Sequence, residues 1–569
     1  MTEKRWLYKP LPQSPDDLAC VDSLCLSLNI EASLATMLWQ RGVTCFDEAH
    51  SFFRPSLDGL HDPFLMRDMD RAVARLEEAF GSGERILVYG DYDVDGTTSV
   101  ALFYGFLKTL YDEVEFYIPD RYKEGYGVQP AGIEYARANR FSLIITLDCG
   151  IKSVELIALA QEYGIDFIIC DHHRPGSDLP PAVAVLDPKR ADCEYPYKEL
   201  TGCGVGFKLL QAFCQNNNIP ATRAFEYLDL VAVSIAADIV PITGENRILA
   251  FYGLKRLNES PRQGLKALIK VAGFQKNLDI SNVVFGLGPR INAAGRVKHA
   301  NASVELLLCE DEEKADGFAQ VINVHNTDRR DFDVRITQEA LTMIESDGYM
   351  NSKSTVLYKN DWHKGVIGIV ASRCIEKYYR PTIILTASQD KVAGSARSVA
   401  GFDVYEAIEE CADLLEQFGG HMYAAGLTLK VENVPAFRQR FEEAVTRRLK
   451  PDQLLPLIDV DLRLPLGQIS EKFYRIMNQM EPFGPQNMSP VFVAKRVRLR
   501  GLPRIMKEKH LRIDVVQEGS PVFAVIGFGM AHFYESLLTH PTFDICYQLS
   551  INEYKGQRTL QLMLRDIKF

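Results

Sequence analysis

Three short apolar runs in the first third of the chain all end at acidic residues, and this pattern restricts the possible folds more than any other. The runs cover residues 86–89, 143–147 and 167–170. Strands that are apolar at every position are buried on both faces, which is typical of a parallel sheet covered by helices. The segments between the runs have the helical spacing that such a sheet needs. We therefore predict an α/β fold built on a doubly wound parallel sheet.

The acidic residues stand at the ends of the predicted strands. They are Asp91, Asp93 and Asp95 after the first run, Asp148 after the second, and Asp171 with His172 and His173 after the third. A further acid, Asp238, follows the apolar stretch 230–237. Ligands of parallel sheets bind outside the carboxyl ends of the strands, near a topological switch point. We expect these side chains to converge there.

Converging carboxylates repel one another, and burying them is costly unless a cation neutralises the charge. Hard oxygen ligands without a cysteine cluster favour Mn²⁺ or Mg²⁺ over structural zinc. The acids and histidines suffice for two ions roughly 3.5 to 4 Å apart, an arrangement that hydrolyses phosphoesters. Asp148, alone at its strand end, is the predicted bridging ligand. The alternative is that acids such as Asp95 and Asp171 merely cap helices or turns, which accounts for each singly but poorly for the set.

Length and composition indicate a soluble protein of several domains. At 569 residues the chain exceeds one hydrophobic core and predicts three or four domains. The N-terminus lacks the apolar segment of a signal peptide, and no apolar stretch reaches the roughly 18 to 20 residues of a membrane span, so we expect a cytoplasmic location. The 12 cysteines have no zinc-site spacing and are expected to be reduced. The net charge of −11 argues against general adhesion to nucleic acid.

The pattern of the chain changes several times along its length. The glycine cluster at residues 201–206 lacks the lysine and serine of a phosphate-binding loop, so we favour a tight turn before a helix. Predicted segments are a helical lead-in over 1–60, a first α/β domain over 61–300, a connecting helix over 301–350, a second α/β domain over 351–452 and a small OB-like β-barrel over 453–569.

A run of basic residues lies in the predicted barrel. Its members are Lys495, Arg496, Arg498, Arg500, Arg504, Lys507, Lys509 and Arg512. The one acid among them is Glu508. In an otherwise acidic protein this run favours a groove for a nucleic-acid backbone, with a solvated basic hairpin as the alternative.

Several motifs together resemble a known superfamily. They are Asp-x-Asp-x-Asp-Gly at 91–96, the lone Asp148, Asp-His-His at 171–173, Asp238, Pro-Arg-Ile-Asn-Ala-Ala-Gly-Arg at 289–296, and Gly-Gly-His at 419–421 with Ala-Ala-Gly at 424–426. The acidic and histidine motifs resemble the DHH phosphoesterase superfamily, and the glycine motif resembles its associated C-terminal domain. The whole ordered set, from about residue 65 onward, is similar to the RecJ family of bacterial exonucleases.

The resemblance implies both an architecture and an activity. The architecture is a doubly wound DHH domain, a long connecting helix, a DHH-associated domain that closes over DNA in a cleft, and an OB-like barrel. The activity is 5′-to-3′ degradation of single-stranded DNA by a metal-dependent exonuclease in recombinational and mismatch repair. The expected enzyme is a monomer that works beside single-stranded-DNA-binding protein and a RecQ-type helicase.

The resemblance also implies roles for particular residues. The expected metal ligands are Asp91, Asp93, Asp95, Asp148, His172 and Asp238. The expected substrate contacts are Arg290, Asn292 and Arg296 in the first α/β domain, and Ser395, Arg397, Gly419, Gly420 and His421 in the second. His173 is expected to touch the scissile phosphate or to orient a ligand. Arg290 and Arg296 flank a predicted small-residue turn at 292–295 and would hold a 5′-phosphate; the alternative is that they pair with acids of the long helix.

Two rival functions are the alternatives to this exonuclease. One is a DHH phosphodiesterase that acts on nanoRNA or small nucleotides, which would not need the barrel and its basic run. The other is a single-stranded-DNA-binding relative that has lost catalysis, although the acids at every motif position argue against it.

Overall fold

The computed structural model describes residues 3–121, 123–297, 300–346, 348–554 and 556–569. They form two compact units. The first unit holds the described residues of 47–327 together with 479–489, and it contains the predicted metal ligands. The second unit holds the described residues of 328–478 and 490–569 and of the N-terminal 46 residues. In the described part of the chain, no helix is both long and apolar enough to cross a membrane.

Helices and strands are numbered along the chain. Up to residue 308 they are β1 (Arg5–Tyr8), α1 (Pro15–Leu28), α2 (Ala32–Trp39), α3 (Phe46–Phe53), α4 (Met69–Ser82), β2 (Ile86–Gly90), α5 (Val94–Lys108), β3 (Val114–Tyr117), α6 (Pro130–Ala138), β4 (Leu143–Leu147), α7 (Val154–Glu162), β5 (Asp166–Cys170), β6 (Ala184–Leu186), α8 (Gly202–Asn216), α9 (Thr222–Phe225), α10 (Leu228–Ala237), α11 (Gly244–Glu259), α12 (Gln263–Ala272), α13 (Ile280–Asn282), α14 (Gly288–Val297) and α15 (Asn301–Leu308).

The remaining elements begin with a helix of 35 residues. They are α16 (Glu312–Ser346), β7 (Thr355–Tyr358), α17 (Ile367–Lys377), β8 (Thr382–Ser388), β9 (Lys391–Arg397), α18 (Val404–Glu409), β10 (Leu415–His421), β11 (Ala424–Leu429), α19 (Val434–Arg448), β12 (Leu457–Val460), β13 (Leu462–Arg463), α20 (Glu471–Asn478), β14 (Phe492–Leu499), β15 (Arg504–Met506), β16 (His510–Val516), β17 (Phe523–Gly527), α21 (Tyr534–Thr539), β18 (Phe543–Tyr554) and β19 (Gln557–Lys568). The predicted connecting helix is thus two helices, α15 and α16.

The first unit is built on a five-stranded parallel sheet with the strand order β3-β2-β4-β5-β6. The chain runs from β2 outward to β3 and then returns to the other side of β2 as β4, so the order reverses between β2 and β4. Such a switch point opens a crevice outside the carboxyl ends of the strands. The predicted doubly wound parallel sheet is confirmed.

Each strand is apolar throughout because its two faces enter two different cores. Ile86 and Val88 of β2 pack in one cluster with residues of α4, α5 and α8. Leu87 and Tyr89, which point the other way, pack in a second cluster with residues of α6 and α7. Each large apolar side chain buried in this way contributes roughly 1.5 to 3 kcal/mol. A charged side chain is tolerated only where the strand ends, which is where the acids begin.

The second unit contains two larger sheets. One has the order β10-β11-β9-β8-β7, with antiparallel pairs except between β7 and β8. The other has the order β13-β14-β18-β19-β17-β16-β15, and β14 also pairs with β16. This additional pairing closes β14, β18, β19, β17 and β16 into a ring of five strands, in the region predicted to be OB-like.

The N-terminal segment differs from the predicted helical lead-in because it begins with a strand. β1 pairs in parallel with β12, with Arg5 opposite Leu457 and Tyr8 opposite Val460. Trp6 is anchored by its indole Nε1, which donates to Asp566 Oδ2 at 2.7 Å. A four-residue strand whose partner is so distant in sequence leaves no periodic pattern of its own, so the prediction for this segment was incomplete.

Candidate active site

Five elements of the first unit deliver the predicted metal ligands to one edge of the parallel sheet. Asp91 follows β2, Asp148 follows β4 and Asp171 follows β5. In-register parallel pairing sets the last residues of these three strands side by side. Asp93 caps the N-terminus of α5, and Asp238 caps the C-terminus of α10. Side chains that are up to about 150 positions apart in sequence therefore meet in space.

His172 lies among the carboxylates. Its Nε2 is 3.1 Å from Asp148 Oδ1, 3.6 Å from Asp95 Oδ2 and 3.7 Å from Asp238 Oδ2. The His172 and Asp148 side chains are 7% and 3% exposed, so water screens these charges little. One imidazole cannot balance three carboxylates.

Ligand atoms that lie within 4.8 Å of one another form three overlapping groups. The groups are Asp91, Asp93 and Asp148; Asp95, His172 and Asp238; and Asp148, His172 and His173. The first two share no residue, and Asp148 and His172 connect them through the third. Two ion positions with Asp148 between them fit this arrangement.

Buried atoms of this cluster test whether a metal fits. Asp148 Oδ1 and both ring nitrogens of His172 are buried and have no hydrogen-bond partner within the described ranges. Leaving such an atom unpaired costs roughly 1 to 3 kcal/mol. A divalent cation accepts carboxylate and imidazole donors together, and Mn²⁺ and Mg²⁺ suit a set dominated by oxygen. The residues present fit these ions.

The pKa values record the same imbalance of charge. Burial, reinforced by Asp93, raises the pKa of Asp91 well above its ordinary value. Burial, reinforced by Asp95, raises the pKa of Asp148 well above its ordinary value. Desolvation and then the charge of Asp95 raise the pKa of Asp238 to about 8, although the Asp238 side chain is 31% exposed. Without a cation the site resists full ionisation, so its geometry is that of a binding site for positive charge.

Asp171 has a different part in the site. Its Oδ1 accepts from the backbone N–H of His172 at 2.7 Å and lies 2.8 Å from His173 Nδ1, while Oδ2 accepts from Ile151 N at 2.9 Å. Burial would raise its pKa, but the hydrogen bond and charge of His173 lower it to about 2. Through its contacts with His172 N and His173 Nδ1, Asp171 orients the two histidines.

His173 faces the site from the other side of Asp171. Burial lowers its pKa, but the hydrogen bond and charge of Asp171 outweigh burial and raise the pKa to about 9. Tyr126 OH donates to Asp148 O at 3.0 Å and lies 3.3 Å from the ring nitrogens of His173. Tyr126 was not predicted from the sequence, because it lies in a loop without periodicity.

In the second unit, β9, β11 and β10 bring all five predicted substrate contacts together. Across these strands one row holds Ser395, Gly426 and Gly419. Two residues further along, the next row on the same face holds Arg397, Ala424 and His421. Arg397 Nη1 donates to Ser395 Oγ at 3.1 Å. A Cβ at Gly419 would meet nothing within 4 Å among the described residues, so packing inside the chain does not require this glycine. Gly420 is required, because its φ is +148° and a Cβ there would lie 2.4 Å from Ala424 O.

The eight basic residues between 495 and 512 are all exposed on or beside β14, β15 and β16. Arg504 and Arg512 stand directly opposite each other in the β15–β16 pair. Like charges in this register destabilise a sheet unless an anion lies between them. Within the described ranges, none of the eight side chains forms a salt bridge with the chain itself.

Three domain families match the chain in order. They are the DHH family, N-terminal domain, over residues 85–235, the DHHA1 domain over 351–447 and the RecJ OB domain over 460–566. The single-stranded-DNA-specific exonuclease RecJ of Bacillus subtilis is 38% identical over 96% of this chain and 69% of that protein. The chain belongs to the RecJ family. The RecJ of Escherichia coli is 34% identical over 88% of this chain and 90% of that protein.

Solved structures of RecJ agree with this assignment. The crystal structure of Thermus thermophilus RecJ in complex with Mn²⁺ matches with a TM-score of 0.85 at 30% identity, over 99% of this chain and 79% of that one. A complex with Mg²⁺ from the same organism matches with a TM-score of 0.80 at 28% identity, over 99% of this chain and 78% of that one. The predicted family, fold class and choice of ions are confirmed.

Not every expectation for this RecJ-family chain holds. The predicted small-residue turn at 292–295 is wrong, because these residues lie inside helix α14, where Ile291 and Ala293 are buried. Arg290 lies on the same helix, where Nε donates to Asn323 Oδ1 at 3.0 Å and Nη1 to Gly286 O at 2.7 Å. Asn292 is half-buried on the same helix. The side chain of Arg296 lies outside the described part of the structure.

The predicted tight turn at 201–206 is also wrong, and its correction adds residues to the site. These glycines form the first turns of α8, capped by Thr201. The N–H groups of Gly202 and Cys203 donate to the two oxygens of Asp95 at 2.7 and 2.9 Å. Ser234 Oγ donates to Asp95 Oδ1 at 2.7 Å. The helix N-terminus thus holds the Asp95 side chain in place.

Gly202 explains why the cluster is rich in glycine. A Cβ there would lie 2.5 Å from Asp148 Cβ, so only glycine lets α8 approach the strand ends. Asp148 itself has a φ of +62°, which is uncommon for a residue with a side chain. The glycine spacing before a helix was the available sequence signal, but its cause lies in a contact with β4 that sequence does not reveal.

Proposed function

We propose that the chain is a metal-dependent exonuclease that hydrolyses single-stranded DNA from its 5′ end. The observation that carries the proposal is the pair of ligand groups connected through Asp148 and His172, with buried donor atoms that have no partner within the described ranges. Two divalent ions held in this way are the common apparatus of phosphodiester hydrolysis. The curated RecJ relatives are named as exonucleases specific for single-stranded DNA, which supports the substrate and the reaction.

In this proposal, six residues hold the ions. They are Asp91, Asp93, Asp95, Asp148, His172 and Asp238. When bound, Mn²⁺ or Mg²⁺ activates water and neutralises charge on the phosphate oxygens. The chain contributes fixed positions: Asp95 is held by three hydrogen bonds and Asp148 by the left-handed turn after β4. Ligands fixed in advance need little reorganisation when substrate arrives.

His173 is proposed to hold the scissile phosphate. Its Nδ1 lies 2.8 Å from Asp171 Oδ1, so the proton on this nitrogen is directed at the carboxylate. Nε2, which lies 3.3 Å from Tyr126 OH, is the nitrogen proposed to contact the phosphate. A pKa of about 9 keeps the imidazole protonated at neutral pH, which makes Nε2–H a charged donor. Tyr126, edge-on to the His173 ring, restricts its rotation.

Two surfaces of the second unit support a polynucleotide as substrate. The face formed by Ser395, Arg397 and His421 offers polar donors, while Gly419 and Gly426 leave its centre open to a backbone. Glycines permit close approach of this kind. The exposed basic run of the ring supports a longer contact, because a cationic groove follows the backbone of a single strand. A dinucleotide would need neither surface.

Arg290 and Arg296 are proposed to select the 5′ end. The Arg290 guanidinium is oriented by hydrogen bonds to Asn323 Oδ1 and Gly286 O. A terminal phosphate is a compact dianion that suits a guanidinium fork. Arg290→Gln should lose about 10- to 100-fold of the preference for 5′-phosphorylated over 5′-hydroxyl strands, as expected for a charged hydrogen bond. An undiminished preference would place recognition of the end elsewhere.

The same proposal gives the protein a cellular setting. It would act in the cytoplasm as a monomer, in recombinational and mismatch repair, beside single-stranded-DNA-binding protein and a RecQ-type helicase. Membership of the RecJ family supports this setting. Light scattering of the purified protein tests the monomer, and co-sedimentation with each partner tests the association.

One experiment separates the proposed function from its rivals. Purified protein with Mn²⁺ is given end-labelled single-stranded DNA, the same sequence as duplex, and a dinucleotide, with a chelator control for each. The proposal expects release of nucleotides from the single strand alone, from the 5′ end, and none in chelator. Cleavage confined to the dinucleotide would favour a small-nucleotide phosphodiesterase. Binding of the single strand without cleavage would favour a non-catalytic relative.

A further inference from the structure

Ile239, which follows the metal-site residue Asp238, combines two unusual features. Its φ is +59°, in the left-handed region, and its side chain is 62% exposed. For a β-branched residue this conformation is an outlier, because Cβ crowds the neighbouring backbone. Glycine is the usual residue at this position after a helix. Burial cannot offset the strain, since most of the side chain is in solvent.

Both flanks of Ile239 are anchored, so the fold requires a turn at this position. On one side, helix α10 is buried, and Asp238 N–H donates to Ser234 O at 2.9 Å. On the other side, Pro241 O accepts from Asn246 Nδ2 at 3.1 Å. A glycine or asparagine would make the same turn at lower cost. The fold therefore accounts for the left-handed backbone but not for the isoleucine side chain.

The position of Ile239 suggests what the side chain meets. Asp238 Oδ2 lies 3.7 Å from His172 Nε2, and the Cα atoms of adjacent residues are about 3.8 Å apart along any chain. An exposed aliphatic residue thus directly follows a carboxylate of the metal site in the chain. A nucleotide presents the matching pair of surfaces, since its charged phosphate is bonded to a sugar with an apolar carbon edge. Strain that persists next to a reactive site is typical of residues kept for function.

We propose that Ile239 is a substrate-contacting residue whose side chain packs against the sugar of the nucleotide held at the metal ligands. This inference rests on the proposed nuclease function and adds a residue to its substrate site. Ile239 positions the nucleotide by apolar contact, while the polar ligands beside it handle the phosphate. The strain lowers stability in exchange for that contact, as in other sites where activity and stability compete.

The inference predicts opposite effects on stability and on substrate use. Ile239→Asn replaces the side chain with one that tolerates the left-handed backbone, so we expect an unchanged or higher Tm together with a KM raised about tenfold, the scale of one lost apolar contact. Ile239→Val keeps a β-branched apolar surface and should stay within about twofold of wild type. A purely structural isoleucine would show the reverse: a lower Tm in Ile239→Asn and an unchanged KM.

A matched control is available at the opposite end of the sheet. Arg140, also with φ +59° and also just after a helix, is exposed and precedes β4 instead of following it. Arg140→Asn should raise Tm as Ile239→Asn does and leave KM unchanged. It shows how much of the change in Tm comes from relief of backbone strain alone.

The assay measures kcat and KM on single-stranded DNA, Tm, and the Mn²⁺ concentration that gives half-maximal rate. A raised KM in Ile239→Asn with an unchanged Mn²⁺ requirement supports direct contact. A wild-type KM in that variant overturns the inference. A raised KM accompanied by a higher Mn²⁺ requirement also overturns it, because the substitution has then displaced Asp238. Wild-type protein that does not degrade single-stranded DNA refutes the proposed function, and this inference with it.

Discussion

Two clusters of buried charge in the first unit solve the same electrostatic problem in different ways. In one, Lys208 Nζ and Glu245 Oε1 are 2.6 Å apart, with side chains 0% and 1% exposed. Lys208 also donates to His61 O and Gln211 Oε1, and Glu245 accepts from His61 N and Tyr195 OH. One cation pairs with one anion, and both the ammonium and the carboxylate make further hydrogen bonds to the chain. This cluster is complete within the chain.

The metal-site cluster lacks this balance of charge and hydrogen bonds. It holds five carboxylates: Asp91, Asp93, Asp95, Asp148 and Asp238. The positive side chains that act on them include His173, which already pairs with Asp171. They also include Arg121 and Lys189, neither of which forms a salt bridge with any of the five among the described residues. The buried atoms of the cluster include several without partners in the described structure. Buried charges are retained when they are paired or when they coordinate a metal. An imbalance of buried charge therefore identifies the functional site, whereas a balanced buried ion pair such as that of Lys208 and Glu245 stabilises the fold.

The largest effect is expected from Asp148→Asn, in the unbalanced cluster. The amide keeps the shape and tolerates the positive φ, but it removes one charge and the proposed bridging ligand. We expect kcat on single-stranded DNA to fall by about 10³-fold or more, on the scale of losing a metal-assisted step, while Tm in chelator is unchanged or higher because repulsion is relieved. Wild-type turnover in saturating Mn²⁺ would exclude Asp148 as a ligand.

The complementary substitution is Glu245→Ala in the balanced cluster. Removing one partner leaves Lys208 buried and uncompensated, which costs about 3 to 5 kcal/mol in comparable cases. Tm should fall by several degrees, and specific activity at low temperature should stay near wild type. Lys208→Met with Glu245→Ala, which removes both charges, is the control and should recover part of the loss. A variant that loses activity but not stability would contradict the distinction between the two clusters.

The pH dependence of stability should reveal the imbalance without any substitution. The pKa of Asp238 rises from its ordinary 3.8 to about 8 in the folded protein, and those of Asp91 and Asp148 are raised as well. A raised pKa favours folding at low pH and loses that contribution as pH increases through the folded value. In chelator, Tm should therefore fall as the pH rises from about 4 to 8, and the increase in Tm on adding Mn²⁺ should be larger at higher pH. A gap between the two Tm curves that is independent of pH would refute this.

The smallest effect is expected where unbalanced charge is exposed to solvent. Arg504 and Arg512 face each other across β15 and β16. If both contact phosphates, the double substitution to alanine should reduce the salt slope of single-strand binding by about 0.7 for each, or about 1.4 together. Stability should change little, since exposed charges are screened. Arg558→Ala with Arg565→Ala, on β19 of the same ring, is the matched control and should leave the slope unchanged.

Sequence reasoning succeeded where the physics is local. Continuous apolar runs indicated strands buried on both faces, and the acids had to stand at the strand ends because a charge inside β2 or β4 would face a core. Parallel topology then required those ends to share an edge. The parallel sheet could therefore be predicted without coordinates, as could the convergence of Asp91, Asp148 and Asp171.

Other features were decided by contacts between segments distant in sequence. Gly202 is needed because α8 approaches Asp148, and a sequence pattern does not contain that distance. Small residues at 292–295 suit a turn or a helix equally well, and the packing of Ile291 and Ala293 selects the helix. The left-handed backbone of Ile239 follows from anchors on both sides of it. Composition and periodicity specify what each segment can form, whereas the tertiary structure decides which side chains meet and under what strain.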